Sequence, residues 1–496
     1  MGHIRRQAIL SSVVIYVGFL VGFVNTWYFT RNGLFTPSEY ALTRLFFDVG
    51  QTIMAFANMG VLSVIYKFHP YYKEYVPAKE SDMLTWSLLA AVGGFILVVF
   101  AGWMFEPLIV RKFSERSLLF VDYYYWIFPF GLGLLFFTIL ETFSGTLRKT
   151  IFPNFLRETG LRLITFVLIL IFYFKLISFD TFVKLFAFLY IAIAIILLLT
   201  LIRNHEFHLS FKVSIVTKKF KKKMLTLSSY IYAGQIIYIL AQVMDSIFIA
   251  SLKGLELTGV FALSSYIANL VQVPQRSIIS IALPTLAQAW KDKNLPEISR
   301  IYNRTSINLL LAALFIFFGI WLNIKDAFIL LNIRNEYEAG FSVVLLLSIS
   351  RIIDAGTGVN GQIIGTSTQW RFEFLTGVIL LAIIFPLNYY LIKEFGIIGS
   401  AYSNLISFTV YNAIRLWFLW YKFKLQPFTM KTIYSLVFAI GTYFLSYYLF
   451  KDVTGWTGIF LRSSLFASVF IAGVFVLKLT PDAMQLVDTA KKKFGR

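Results

Sequence analysis

The sequence predicts an all-α polytopic membrane protein. It has about fourteen transmembrane helices: two six-helix bundles related by a parallel repeat plus two C-terminal helices, with both termini inside. Three observations predict it. Of the 496 residues, 58% are hydrophobic and the mean hydropathy is +0.74, against ~45–50% apolar content in a soluble domain. The apolar residues form runs of ~20 or more, enough to cross ~30 Å of hydrocarbon as helix, without the alternation of a membrane β-barrel. The net charge of +20 gathers in alternate loops.

The first bundle, residues 1–203, holds the spans Ala8–Thr30, Leu42–Tyr66, Met83–Phe105, Leu118–Phe143, Pro153–Phe174 and Phe182–Ile202. A basic linker, residues 204–223, follows. The second bundle, residues 224–424, holds Met224–Ser251, Thr258–Trp290, Ser306–Ile324, Phe341–Gly365, Phe372–Ile392 and Ile397–Tyr421. The extra helices, Ile433–Phe450 and Trp456–Leu477, lie in residues 425–479, and residues 480–496 form a basic tail. An inner N-terminus places Arg5, Arg6, Lys67, Lys73, Lys79, Arg148, Lys149, the run Lys218–Lys223 and the tail on one side, as the positive-inside bias requires. No small-residue cleavage site follows the first span, so it reads as a retained anchor.

Shifting the first half by 221 positions aligns Arg31-Asn32-Gly33 with Leu252-Lys253-Gly254 and Tyr40-Ala41-Leu42 with Phe261-Ala262-Leu263. Asp48 then meets Asn269, and Gln51 meets Gln272. The matches suggest a parallel repeat, an arrangement that holds substrate near the midplane.

Several classes of chemistry lack their raw material. There is no cysteine, and the four histidines (His3, His69, His205, His208) fall outside the apolar runs. No phosphate-binding Gly-Lys-Ser/Thr loop is present. No cofactor or metal is expected. Nucleic acid is not an expected partner either, since the positive charge is explained by topology. A membrane enzyme would want catalytic histidine or paired carboxylates on a sizeable outer loop, and neither is visible.

Polar residues remain at helical spacing inside the spans. The second span aligns Arg44, Asp48, Gln51 and Asn58; the seventh aligns Gln235, Gln242 and Asp245; the eighth aligns Asn269, Gln272 and Arg276; the tenth aligns Arg351, Asp354 and Gln362. Charges in hydrocarbon cost a few kcal/mol, so such residues face protein or water. Arg44–Asp48 and Arg351–Asp354 have the spacing of helical ion pairs as well as of site residues. Arg276 has no acid three or four positions away; its partner is another helix, with Asp245 as a candidate, or an anionic ligand. Arg415, near the inner end of its span, reads as a snorkelling side chain. Pro274, Pro284 and the glycines Gly356, Gly358, Gly361 and Gly365 allow bending beside these charges, whereas Gly18 and Gly22 suit close helix packing.

The stretch from Asn388 through Gly396 and Gly399 to Ala401 resembles the eleventh-to-twelfth-span signature of the multidrug/oligosaccharidyl-lipid/polysaccharide (MOP) exporter superfamily. Ile333–Ser350, with Tyr337 before an apolar span, and Asn58–Ser63 running into Lys67-Phe-His-Pro70 are similar to the same superfamily. Fourteen spans and cationic cavity residues resemble its polysaccharide branch, the Wzx-type flippases of lipid-linked oligosaccharides. The resemblance implies a transporter in the bacterial inner membrane, moving a polyprenyl-diphosphate-linked glycan by alternating access. Membrane lipids, a coupling cation or proton, and polysaccharide-assembly proteins would be its partners.

On that reading Arg276, with Arg351 or Arg44, binds diphosphate through its guanidinium fork. Asn269, Gln272, Gln51 and Asn58 meet the sugars, and Asp245, Asp354 and Asp48 are the coupling candidates. A multidrug antiporter of the same superfamily and a lipid II flippase are the alternatives.

Overall fold

A computed structural model describes residues 17–482. The start of the first expected span, Arg5, Arg6 and the tail from residue 483 lie outside the described residues. Every described element is helical.

Ten helices are long and apolar enough to cross a membrane, or eleven when the bent pair α2 (Pro37–Ala57) and α3 (Val61–Tyr75) counts as one span. The chain is a multi-pass membrane protein. Three other expected spans are helical but fall short of that standard. α1, Val17–Thr30, is short in its described part. The fifth span is broken into α7 (Ile151–Phe155), a π-helical turn at Leu156–Gly160 and α8 (Leu161–Tyr173). In the twelfth, Ser400, Ser403, Asn404, Ser407 and Asn412 put a polar face on the helix Ile397–Phe423.

By contact the chain divides into Met1–Gly259 and Val260–Arg496. In the first unit, α2 packs on α4 (Met83–Phe113), on α6 (Ile127–Thr146) and on α11 (Ile215–Leu252), with α5 (Leu118–Asp122) beside α4. The sixth span is α9 (Phe179–Ala187) with α10 (Leu189–Arg203), and α10 packs on α6. Thr36 opens α2 as a capping box: the Glu39 amide donates to Thr36 Oγ1 (3.2 Å) and the Thr36 amide to Glu39 Oε2 (2.7 Å). Gly18 and Gly22 bring α1 against Glu158 and Arg162, the close packing that their spacing suggests.

The run Lys218–Lys223 is helical, because α11 begins at Ile215 beneath the Ser214 cap. Asp82 holds this start: its Oδ2 accepts from the Ser214 amide (3.0 Å) and from Thr217 Oγ1 (2.8 Å).

The boundary between the units falls inside α12 (Leu255–Asn269), which continues through a short 3₁₀ turn into α13 (Val273–Lys291). The second unit adds α14 (Leu295–Trp321), α15 (Ile324–Leu330), α16 (Phe341–Gly356), α17 (Asn360–Thr366), α18 (Trp370–Phe395) and α19 (Ile397–Phe423). The extra helices α20 (Met430–Leu449) and α21 (Gly455–Val476) pack on α14, where Ala439, Phe466 and Phe470 join Leu310, Leu314 and Phe318 in one core. Arg462 ties α21 to α15 through an ion pair with Asp326.

The aligned glycines Gly33 and Gly254 share a left-handed backbone, φ +87° and +100°. Both stand in the turn before a helix, α2 and α12, where glycine takes a positive φ without steric cost.

Candidate functional site

In the first unit the break between α2 and α3 consumes one expected site residue. Asn58 is fully buried; its Nδ2 donates to Met54 O (3.0 Å) and Ala55 O (2.7 Å), and its Oδ1 accepts from the Gly60 amide (2.8 Å). These bonds satisfy backbone groups that the 53° bend would orphan. Asn58 therefore holds a hinge, and its polar atoms are committed there.

Nearer the start of α2, Asp48 comes together with Asp245 of α11. Asp245 is buried, Asp48 is half-buried and bonds Ser246, and the charges of both Asp245 and Arg44 act on Asp48. The Arg44 guanidinium lies 5.7 Å from the Phe47 ring centre. Gln51, one turn along, is exposed.

A second charged group in this unit was not expected. Glu141, on α6, pairs with Arg157 of the π-helical turn at 2.5 Å, and Arg157 also reaches Thr138 (3.4 Å). Arg162 pairs with Glu158 at 3.3 Å. The signal was a lone carboxylate inside the apolar run of the fourth span.

In the second unit Arg276 and Asn269 are exposed, whereas Gln272, Arg351 and Asp354 are half-buried. Arg276 stands near the middle of Leu255–Lys291, and a guanidinium within a membrane span requires water or an anion rather than hydrocarbon.

Asp354 is held by three side-chain amides. Its Oδ2 accepts from Gln272 (2.9 Å) and Gln275 (3.1 Å), and its Oδ1 accepts from Asn412 (3.0 Å). Arg351 turns to the Phe408 ring, 5.2 Å from its centre.

The network runs on from Asn412, whose Oδ1 accepts from Thr357 (3.0 Å) and Asn360 (2.9 Å). Asn360 in turn accepts from Arg415 at 3.4 Å. Arg415 is buried, ion-paired with Glu373 and 3.8 Å from the Tyr411 ring centre, so the expected snorkelling is replaced by a buried pair. The pair joins α18 to α19, residues too far apart for helical spacing to reveal.

Among the described residues no cluster of three or more His, Cys, Asp or Glu could hold a metal ion. No family model matches the sequence, and no curated protein matches it either. Solved structures do.

A lipid II flippase, MurJ, in an inward closed conformation is similar over 95% of this chain and 99% of its own, with TM-score 0.70 and 14% identity. The chain has the MOP transporter fold. An inward-facing MATE-family multidrug transporter of the MOP superfamily matches 82% of this chain and 97% of its own, with TM-score 0.62 and 15% identity. A mutant form of the Vibrio cholerae MATE transporter VcmN matches 84% and 96%, with TM-score 0.58 and 14% identity.

Two of the segments that resembled the superfamily lie at junctions between helices. Met59 and Gly60 both take positive φ between α2 and α3, and Gly399 lets α19 pack against the Leu391 carbonyl of α18.

Proposed function

We propose that this protein is a transporter that flips a polyprenyl-diphosphate-linked oligosaccharide across the bacterial inner membrane by alternating access. The observation that carries the reading is exposed Arg276 on the apolar stretch Leu255–Lys291, within a fold shared end to end with a lipid flippase. A guanidinium offers a planar fork to phosphate oxygens, and a surface-exposed one keeps that fork available. The MATE multidrug transporters share a smaller part of the chain.

On this reading Arg276, Arg351 and Arg44 are the candidates for the diphosphate, and exposed Asn269 and Gln51, together with Gln272, are the candidates for the sugars. Asp48 and Asp245, two carboxylates acting on each other within one unit, form the preferred cation or proton site. Asp354 is the weaker coupling candidate because its oxygens already accept three amide bonds. Fourteen spans with both termini inside, and two repeat-related bundles divided by the basic linker, belong to the same proposal. So do partner proteins of polysaccharide assembly.

Deleting the gene in its own host tests the reading. Surface glycan should be lost while its lipid-linked precursor accumulates on the inner leaflet, and the wild-type gene should restore export. Normal glycan export together with lost efflux of organic cations would overturn it in favour of the antiporter.

A further inference from the structure

The first unit contains a cavity of about 650 Å³ that none of the polar site residues lines. Its walls come from α2, α4, α6 and α11 with the segment around α5, and rings such as Phe56, Phe105, Phe113 and Phe128 dominate them. Three hydroxyl side chains also line it, and each is already committed to a backbone carbonyl. Thr52 donates to Asp48 O (3.0 Å), Tyr124 to Gly102 O (3.0 Å) and Tyr232 to Phe56 O (2.7 Å). A polar guest would find no free hydroxyl donor among these groups; a hydrocarbon guest would forfeit nothing.

Two further observations select the guest. The lining runs from Leu45 to Phe56 along α2, with Met59 in the turn beyond it, and from Gly94 to Phe113 along α4. At 1.5 Å per residue the helical stretches are roughly 17 Å and 28 Å, longer than the ~15 Å of hydrocarbon in one leaflet. Gly94 packs against Met59, so the antiparallel helices place Leu45 and Phe113 at the same end. That end carries half-buried Arg44 next to Leu45, and exposed Arg111 and Lys112 next to Phe113. Asp48 and Glu115 lie there too; Arg116 is engaged with Leu252 O. A long apolar channel with cations at one mouth is complementary to a phosphate on a chain longer than one leaflet.

We infer that this cavity binds the isoprenoid chain of the lipid carrier, with the carrier phosphate toward the Arg44 end. The inference rests on the proposed lipid-linked substrate and gives its tail a place within the first unit.

The test uses the full-length protein in nanodiscs and a polyprenyl phosphate carrying a diazirine midway along its chain. Photo-adducts should map to the peptides spanning Leu45–Met59 and Gly94–Phe113. Excess unlabelled polyprenyl phosphate should abolish them, and equal phosphatidylglycerol should not. Ala101→Trp and Val98→Trp, which fill the cavity from different turns, should each lower labelling at least tenfold. Adducts confined to α20 and α21, or equal displacement by phosphatidylglycerol, would overturn the inference. The wild-type adduct map decides it even where a variant fails to insert.

The two readings can fail separately. Labelling of the cavity in a protein that flips no lipid-linked glycan would sink the transport reading and leave the chain site standing. Flipping with no labelling here would sink only the chain site.

Discussion

Arg415, buried on α19, forms an ion pair with half-buried Glu373 on α18, with the guanidinium 3.8 Å from the Tyr411 ring centre. The pair ends a chain of amide and hydroxyl contacts that begins at Asp354. Its position assigns Arg415 to holding the second unit together rather than to substrate.

Removing one partner should therefore destabilise the protein. A hydrogen bond to a charged group is worth about 1.5–3 kcal/mol, and Glu373 stays behind half-buried without its partner. Arg415→Ala should lower the thermal midpoint in detergent and reduce the monodisperse yield. Arg415→Met combined with Glu373→Leu should recover most of that loss. Equal stability of Arg415→Ala and wild type would contradict the assignment.

Arg276 should behave in the opposite way. It is exposed, so Arg276→Ala should insert and melt like wild type while glycan export is lost. Arg276→Lys keeps the charge without the fork and should keep part of the activity. A stability loss as large as that of Arg415→Ala would make Arg276 structural instead.

The contrast between two glycines tests the hinge. Gly33 and Gly60 both have positive φ, which costs a non-glycine residue about 1–2 kcal/mol. A Cβ at Gly33 would meet open space, but at Gly60 it would come within 2.6 Å of Ser228 O. Gly60→Ala should lose clearly more thermal stability than Gly33→Ala. Equal losses would mean that α11 moves aside without cost.

The carboxylates divide in the same manner. Asp354→Asn turns an acceptor into a donor facing Gln272, Gln275 or Asn412, so it should reduce protein accumulation. Asp245→Asn should accumulate and bind substrate, but its transport should no longer respond to an imposed ion or pH gradient. Retained gradient response in Asp245→Asn and Asp48→Asn alike would move coupling out of the first unit.

Eleven of the fourteen expected spans were legible because each is written as a long apolar run. The turn motifs were legible too, since Gly60 and Gly399 stand where side chains do not fit. Partnership was not. Asn58 looks like Gln51 in sequence, and only the bend after it shows that its amide serves the backbone. Glu141–Arg157 and Glu373–Arg415 join different helices, so no helical period connects them. Asp48 and Asp245 were each visible as a charge inside an apolar span, but their proximity comes from the packing of α11 on α2. The helical start of α11 was hidden by its lysines, which read as loop until Ser214 and Asp82 cap and anchor it.

The central claim is transport of a lipid-linked glycan, and reconstitution measures it directly. Proteoliposomes holding the purified protein and a polyprenyl-diphosphate oligosaccharide labelled on its sugar would be probed with a membrane-impermeant enzyme that cleaves the glycan. The account predicts that the protected inner-leaflet fraction falls faster than in protein-free vesicles, that an ion gradient speeds the fall, and that Arg276→Ala abolishes it. Wild-type vesicles whose protected fraction stays at the protein-free level, while the same vesicles exchange an organic cation for protons, would contradict it.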